Sequence, residues 1–291
     1  MQTVKKGIIL AGGLGTRLYP LTKVLNKQLM PIYDKPAIYY PLSTLMLAGI
    51  REILIISSLD NIGMLKRLFG TGEQLGMSFI YMVQEKPNGL PEAFILGEDF
   101  IANEPVAMIL GDNFFHGHKL SEVVFDKAQH FKGAHLFTYQ VENPQRYGIA
   151  VVDENNQVID VEEKPKDPKS KRAITGLYYF DHTVSNRARK LKPSSRGELE
   201  IVDLIKNYLE EQLVFSTHLG RGYVWFDTGT FKSLLSASQY VELIQTRQNT
   251  AIGAPEEIAL NMGFLTQTQF KESLNFLPES SYKTYLKSLL L

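Results

Sequence analysis

The sequence predicts an α/β fold: a doubly wound, Rossmann-like mixed sheet flanked by helices, with a helical embellishment at its C-terminal end. Three observations carry that reading. Short apolar runs alternate with helix-like segments through the first half of the chain, the rhythm of right-handed βαβ units. Those runs are continuous rather than alternating, as in Glu52-Ile53-Leu54-Ile55-Ile56-Ser57, which suits strands buried on both faces of a parallel sheet. No Gly/Ser linker, internal repeat or low-complexity tract divides the 291 residues, so a single domain is expected over 1–291.

In chain order, Val4–Leu10 reads as a buried strand, and Pro41–Ala48 as a helix with Pro41 in its first turn and Gly49 past its end. Glu52–Ser57 is the second strand. Asn61–Phe69 is a helix capped by Asn61 and ended by Gly70. Phe79–Gln84 is the third strand, Leu90–Ala102 a helix with Pro91 at its start, and Val106–Leu110 the fourth strand. A helix over Lys119–Phe131 and a fifth strand over His135–Val141 close the first half. The rhythm then changes. Gly148–Val152 and Val158–Glu163 flank the turn-rich Asp153–Gln157 and read as a hairpin. Ala173–Phe180 is a strand, followed by helices at Val184–Leu191 and Ile201–Glu211, a strand at Val214–Leu219 and a long helix over Phe231–Gln248. The tail from Pro255 to Leu291 is helical in character.

Composition removes several function classes. Thirty-one Lys and Arg balance 31 Asp and Glu, which argues against a nucleic-acid binder acting through bulk charge. With no Cys there is no disulfide, thiolate nucleophile or Cys-ligated metal. The Lys5-Lys6 pair before Gly7–Ala11 imitates a signal peptide, but the apolar run is too short and Arg17 follows soon after. Nor does any stretch approach the ~18 apolar residues of a membrane span. No membrane partner and a cytoplasmic location are therefore expected.

Leu10-Ala11-Gly12-Gly13-Leu14-Gly15-Thr16-Arg17-Leu18 follows directly on the first strand. Successive glycine amides in such a turn make an anion nest. Taken alone, Gly13-x-Gly15 is most often just a tight turn. A dinucleotide fingerprint would need a third Gly where Leu18 stands, and a Walker loop would need Gly-Lys-Ser/Thr. Arg17, Lys23 and Lys27 follow instead, which suits a triphosphate whose charge grows in the transition state.

These residues, with Pro20-Leu21-Thr22 and Lys27–Pro31, resemble the signature of the sugar-1-phosphate nucleotidyltransferases. Tyr33–Pro36 and Tyr39–Ser43 narrow the resemblance to the short bacterial glucose-1-phosphate thymidylyltransferases. It continues through Gly111-Asp112-Asn113, Arg146-Tyr147-Gly148, Glu162–Pro165, Thr175–Tyr178, Arg196–Ile201 and Gly222–Thr230, and so covers nearly the whole chain. The chain departs from the pattern at Pro91-Glu92, where many members have Ala-Gln, and at Asn26, where many have Ser. Glu92 places a negative charge near the nucleotide, while Pro91 fits a first helical turn.

The resemblance implies the nucleotide-diphospho-sugar transferase type of fold. It implies a nucleotide-binding half over 1–140, a sugar-binding half over 141–230 and C-terminal helices over 231–291 at an interface or regulatory site. The implied reaction joins dTTP and glucose 1-phosphate into dTDP-glucose and pyrophosphate, with Mg²⁺, as the first step towards dTDP-rhamnose and related deoxysugars. A phosphate with its second pKa near 6 is already ionised at neutral pH, so no general base is needed. None of the six His has to be catalytic.

Alone, Asp112 and Asp227 would be turn or cap residues; the resemblance makes both metal ligands. It gives Arg17 the α-phosphate and the leaving pyrophosphate, Lys27 the nucleotide phosphates and Lys164 the sugar phosphate. Leu10, Gly12, Gly13, Gly15, Thr16, Gln84, Pro87 and Gly89 complete the nucleotide side, with Gln84 reading the base. Tyr147, Gly148, Glu163, Ile174 and Trp225 would line the sugar pocket. A second, regulatory nucleotide site is implied around Gly117, His118, Gly220, Arg221, Arg247 and Glu257, and a homotetramer with it. A UTP-dependent enzyme, or one using another hexose 1-phosphate, stays open as the alternative at this point.

Overall fold

The computed structural model describes residues 3–129 and 131–290. The chain opens with β1 (Lys6–Leu10) and passes through 3-10 turns at Thr16–Leu18, Leu21–Lys23 and Lys27–Leu29. A small hairpin of β2 (Pro31–Ile32) and β3 (Lys35–Pro36) then leads into α1 (Tyr39–Leu47). Next come β4 (Glu52–Ser57), α2 (Leu59–Phe69), β5 (Ser78–Val83), α3 (Glu92–Leu96), α4 (Glu98–Ile101) and β6 (Val106–Leu110). The middle of the chain holds β7 (Asn113–Gly117), α5 (Leu120–Gln129), β8 (Ala134–Gln140), β9 (Gly148–Val152), β10 (Val158–Glu163) and β11 (Arg172–Phe180). The last third holds α6 (Val184–Arg189), α7 (Ile201–Leu209), β12 (Val214–Leu219), β13 (Tyr223–Asp227), α8 (Phe231–Gln248), α9 (Pro255–Asn261), α10 (Gln267–Ser273) and α11 (Ser281–Ser288).

Nine strands form one sheet along the order β10-β9-β11-β6-β1-β4-β5, with β8 on β11 and β12 on β8. The strands β6, β1, β4 and β5 are mutually parallel. Their unbroken apolar sequences are explained by helices on both faces: Ile8, Leu10, Leu54 and Ile56 pack into one core, while Ile9, Ile53 and Ile55 pack into the other. A third, smaller cluster joins Ile32, Tyr40 and Phe114 to Ala237 and Val241 of α8. No described helix is long and apolar enough to cross a membrane.

The mixed character comes from β11, which runs antiparallel to all three of its neighbours. It carries β8 along one edge. On the other edge it carries β6 over Leu177–Phe180 and β9 at Ala173. Its partner thus changes around Thr175–Gly176, and the candidate site lies at that gap.

The hairpin β9–β10, the strand β12 and the long helix α8 have the bounds that the sequence predicts. Three expectations are corrected. The helix expected over Leu90–Ala102 is divided at Gly97, where a Cβ would lie 2.8 Å from Leu54 Cδ2 and 2.9 Å from the Ala93 carbonyl. Ser58, not Asn61, holds the cap position of α2; Asn61 sits in the first turn and donates to the Ser58 hydroxyl at 2.8 Å. The expected fifth strand is not part of the parallel group, being antiparallel to β11 and parallel to β12. A strand not foreseen, β7, pairs with β13 in register Asn113↔Asp227. Of the expected elements, His130 in the helix before β8 and Leu291 at the tail lie outside the described residues.

Candidate active site

Residues at and just beyond the carboxyl ends of β1, β5 and β6 border one cleft of about 660 Å³, the position where doubly wound sheets present their ligands. From β1 come Leu10, Gly12, Gly13, Thr16 and Arg17; from β5 come Gln84, Pro87 and Gly89; from β6 comes Asp112. The opposite wall holds Tyr147, Gly148, Glu163, Lys164, Ile174, Trp225 and Asp227. Lys27 reaches in from the third 3-10 turn. Among the expected nucleotide and sugar residues only Gly15 stands back from this lining. It shapes the turn instead: its φ is +62°, and a Cβ there would meet Thr22 at 2.7 Å.

Side chains approach the glycines closely. A Cβ on Gly12 would lie 2.7 Å from the Gln84 side-chain oxygen, and one on Gly13 would lie 3.2 Å from Lys27 Nζ. Asn26 caps the 3-10 turn by accepting from the Gln28 amide at 2.7 Å, and so fixes the start of the segment that carries Lys27. Its place in the motif is met by a residue that caps as Ser does.

Asp112 and Asp227, 115 positions apart in sequence, are brought together by the β7–β13 ladder. Lys27 Nζ donates to Asp112 Oδ2 at 2.6 Å with both side chains largely buried. Burial alone would push the Asp112 carboxyl up; the charge and hydrogen bond of Lys27, with the Asn113 amide, outweigh it and hold it below its ordinary value. The Asp227 carboxyl moves the other way. Burial raises it first, the neighbouring Asp112 charge adds to that, and Arg17, whose guanidinium is 4.0 Å from Asp227 Oδ2, opposes both.

The resemblance implies a divalent cation between these carboxylates. The donors fit one. Two hard carboxylates compete for the same space at a cost in like-charge repulsion, which a dication would relieve. Among the described residues no third acidic or His side chain joins them, leaving coordination positions for phosphate and water oxygens.

Asn113 is the residue that sequence reasoning missed. Its Oδ1 accepts from Trp225 Nε1 at 2.6 Å and from the Gly176 amide at 3.1 Å, and its Nδ2 donates to Asp112 Oδ1 at 3.1 Å. Gly176 lies at the gap in β11 where its partner changes, so Asn113 satisfies a backbone donor that the sheet leaves unpaired there. Arg196 was missed as well, although it stands in a quoted motif. Its guanidinium meets Glu200 at 2.6 Å and Glu163 at 3.2 Å. Lys164 meets the same Glu163 oxygen, Oε1, at 2.9 Å. Tyr147 and Trp225 pack ring against ring, 5.2 Å between centroids.

The expected regulatory residues are only partly collected. Gly117 and Glu257 border a second cleft of about 260 Å³ between β7, α1 and α9, with His116, Lys119 and the 250–254 segment. His118, Gly220, Arg221 and Arg247 do not border it. Gly220 and Arg221 lie on the turn between β12 and β13, and Arg247 is exposed in the last turn of α8.

A Gly-rich turn, paired carboxylates with a Lys and an Arg beside them, and a facing wall of basic and hydroxyl-binding groups define a nucleotide-transferring enzyme. Residues 6–243 match the nucleotidyl transferase family. The chain is 48% identical over 285 residues to the glucose-1-phosphate thymidylyltransferase of Neisseria meningitidis, covering 98% of this chain and 99% of that one. It is also 48% identical over 288 residues to that of Xanthomonas campestris, covering 99% and 98%. A solved structure from Bacillus anthracis, described as a glucose-1-phosphate thymidylyltransferase in complex with sucrose, superposes with a TM-score of 0.74 at 40% identity, over 81% of this chain and 94% of that one. The chain belongs to the nucleotidyl transferase family, in its glucose-1-phosphate thymidylyltransferase branch.

Proposed function

We propose that the chain transfers a thymidylyl group from dTTP to glucose 1-phosphate, giving dTDP-glucose and pyrophosphate. The observation that carries this is the single cleft, with the Gly-rich turn, Lys27 and Arg17 on one side and Glu163, Lys164 and Arg196 on the other. A phosphate oxygen of the sugar phosphate attacks the α-phosphorus, a new P–O bond forms, and the bond to the β-phosphate breaks with its electron pair on pyrophosphate. The nucleophile is already ionised, so positioning and charge neutralisation do the work. Amides of Gly12 and Gly13 and the Lys27 ammonium hold the triphosphate; Arg17 meets the charge growing on the leaving group. Lys164 and Arg196 hold the sugar phosphate, and Glu163 accepts from sugar hydroxyls in a pocket walled by Tyr147, Gly148, Ile174 and Trp225. Asp112 and Asp227 would hold Mg²⁺, which when bound neutralises phosphate charge and sharpens the electrophile.

The division of labour follows the chain: nucleotide groups from 1–140, sugar groups from 141–230, and helices of 231–291 for assembly and regulation. Exposed Phe231, Leu235 and Leu243 on α8 support a contact between copies; the resemblance makes the assembly a homotetramer, which light scattering would report as the mass of four chains. A regulatory ligand fits less well than the family pattern suggests, since only Gly117 and Glu257 of the six expected residues border the second cleft. We assign the work to the cytoplasm, where nucleoside triphosphates and sugar phosphates are made. The test is pyrophosphate release with glucose 1-phosphate and each of dTTP, UTP, CTP, ATP and GTP. Release with dTTP above the others is expected; none with dTTP beside release with another would overturn the reading.

A further inference from the structure

Glu92 lies in the first turn of α3. Its carboxylate is not aimed at open cleft. One oxygen accepts from Gln84 Nε2 at 2.6 Å and the other from Asn88 Nδ2 at 2.7 Å. Gln84 is buried, 6% exposed, at the end of β5, and Asn88 immediately precedes Gly89. Gly89 itself is held against Leu199 by a φ of +110° and a backbone bridge.

An ionised carboxylate only accepts, so the nitrogen of the Gln84 amide must face it. The charge-assisted bond is short and strong. It leaves the Gln84 oxygen turned towards Gly12, where a Cβ would lie 2.7 Å from it. The reversed amide would set that oxygen against the Glu92 carboxylate, acceptor on acceptor, with no donor between them.

We infer that Glu92 is a positioning residue for base selection: it locks the Gln84 amide so that an acceptor faces the base. The inference rests on the reading that Gln84 meets the base. A base whose edge carries an imide N–H, thymine or uracil, donates to that acceptor. Cytosine presents a ring nitrogen acceptor at the same place and needs the reversed amide, which Glu92 forbids. Selection here works through the orientation that is denied as much as through the one that is favoured.

The test compares kcat/KM for dTTP and CTP, at saturating glucose 1-phosphate, in the unmodified chain, Glu92→Gln, Gln84→Ala and the double variant. Glu92→Gln keeps the shape but bonds either orientation of Gln84. Its dTTP:CTP ratio is expected to fall by about tenfold or more, through a rise in CTP use, with KM for glucose 1-phosphate unchanged. Gln84→Ala should lower the ratio too, and Glu92→Gln should add nothing to it, because Glu92 acts through Gln84. Equal losses for both nucleotides in Glu92→Gln would show a brace rather than a lock and overturn the inference alone, with Gln84→Ala still lowering the ratio. An unchanged ratio in Gln84→Ala would overturn the base-reading role and the inference together.

Discussion

Asn113 ties the Asp112 carboxylate, the indole of Trp225 and the gap in β11 into one hydrogen-bonded unit. Replacing it by Ala leaves two buried donors without an acceptor, each costing about 1–3 kcal/mol. Asn113→Ala should therefore lower the melting temperature and turnover together, read by calorimetry and steady-state rates; loss of turnover at unchanged stability would contradict the bridging role. Asp112→Asn and Arg17→Ala should each cut turnover at least about 100-fold with folding intact, checked by rates beside circular dichroism; near-normal rates in both would sink the site. Arg17, Lys27, Asp112, Lys164 and Asp227 were legible because the resemblance gives each of them a role. Asn113 was not: an Asn beside an Asp gives no sign that it will meet Trp225, 112 positions away. Glu92 was legible as a charge near the nucleotide. Its task was not, because that depends on the facing side chains of Gln84 and Asn88.

Elements explain which glycines tolerate change. At Gly89 a Cβ would fall 2.0 Å from the Leu199 carbonyl oxygen, in a left-handed backbone. Gly89→Ala should displace the loop from Leu199 and raise KM for the nucleotide while leaving KM for glucose 1-phosphate nearly unchanged; equal effects on both would contradict the loop's assignment. On β8, His135 is buried and bonds Thr217 of β12 at 2.9 Å. Burial pushes its imidazole down to about 4, Lys127 adding to this. The folded chain thus binds fewer protons than the unfolded one between about pH 4 and 6.5, so stability is complete above that window and falls as the pH drops through it. The melting temperature of His135→Gln should change less over that range than that of the unmodified chain; parallel curves would contradict the buried neutral imidazole. Strand runs such as Glu52–Ser57 were legible because their apolar sequence is continuous. The need for glycine at 97 was not, since it comes from Leu54 on β4, which a Cβ there would crowd.

Over the whole molecule, the mixed sheet decides what the site can be. Periodicity alone finds the strands but not their neighbours, and so it could not foresee that β11 runs antiparallel beside β6 or that β7 and β13 would join Asp112 to Asp227. Those long-range pairings bring the residues expected for the nucleotide and those expected for the sugar to the lining of one cleft. In the proposed reaction the two phosphorylated substrates meet there directly, with no nucleotidyl group parked on a side chain. The stereochemistry at the α-phosphorus, followed with dTTP made chiral at that atom by isotopic labelling, tests it most directly. A single in-line attack predicts inversion in the dTDP-glucose formed; retention would reveal two successive displacements and contradict the account.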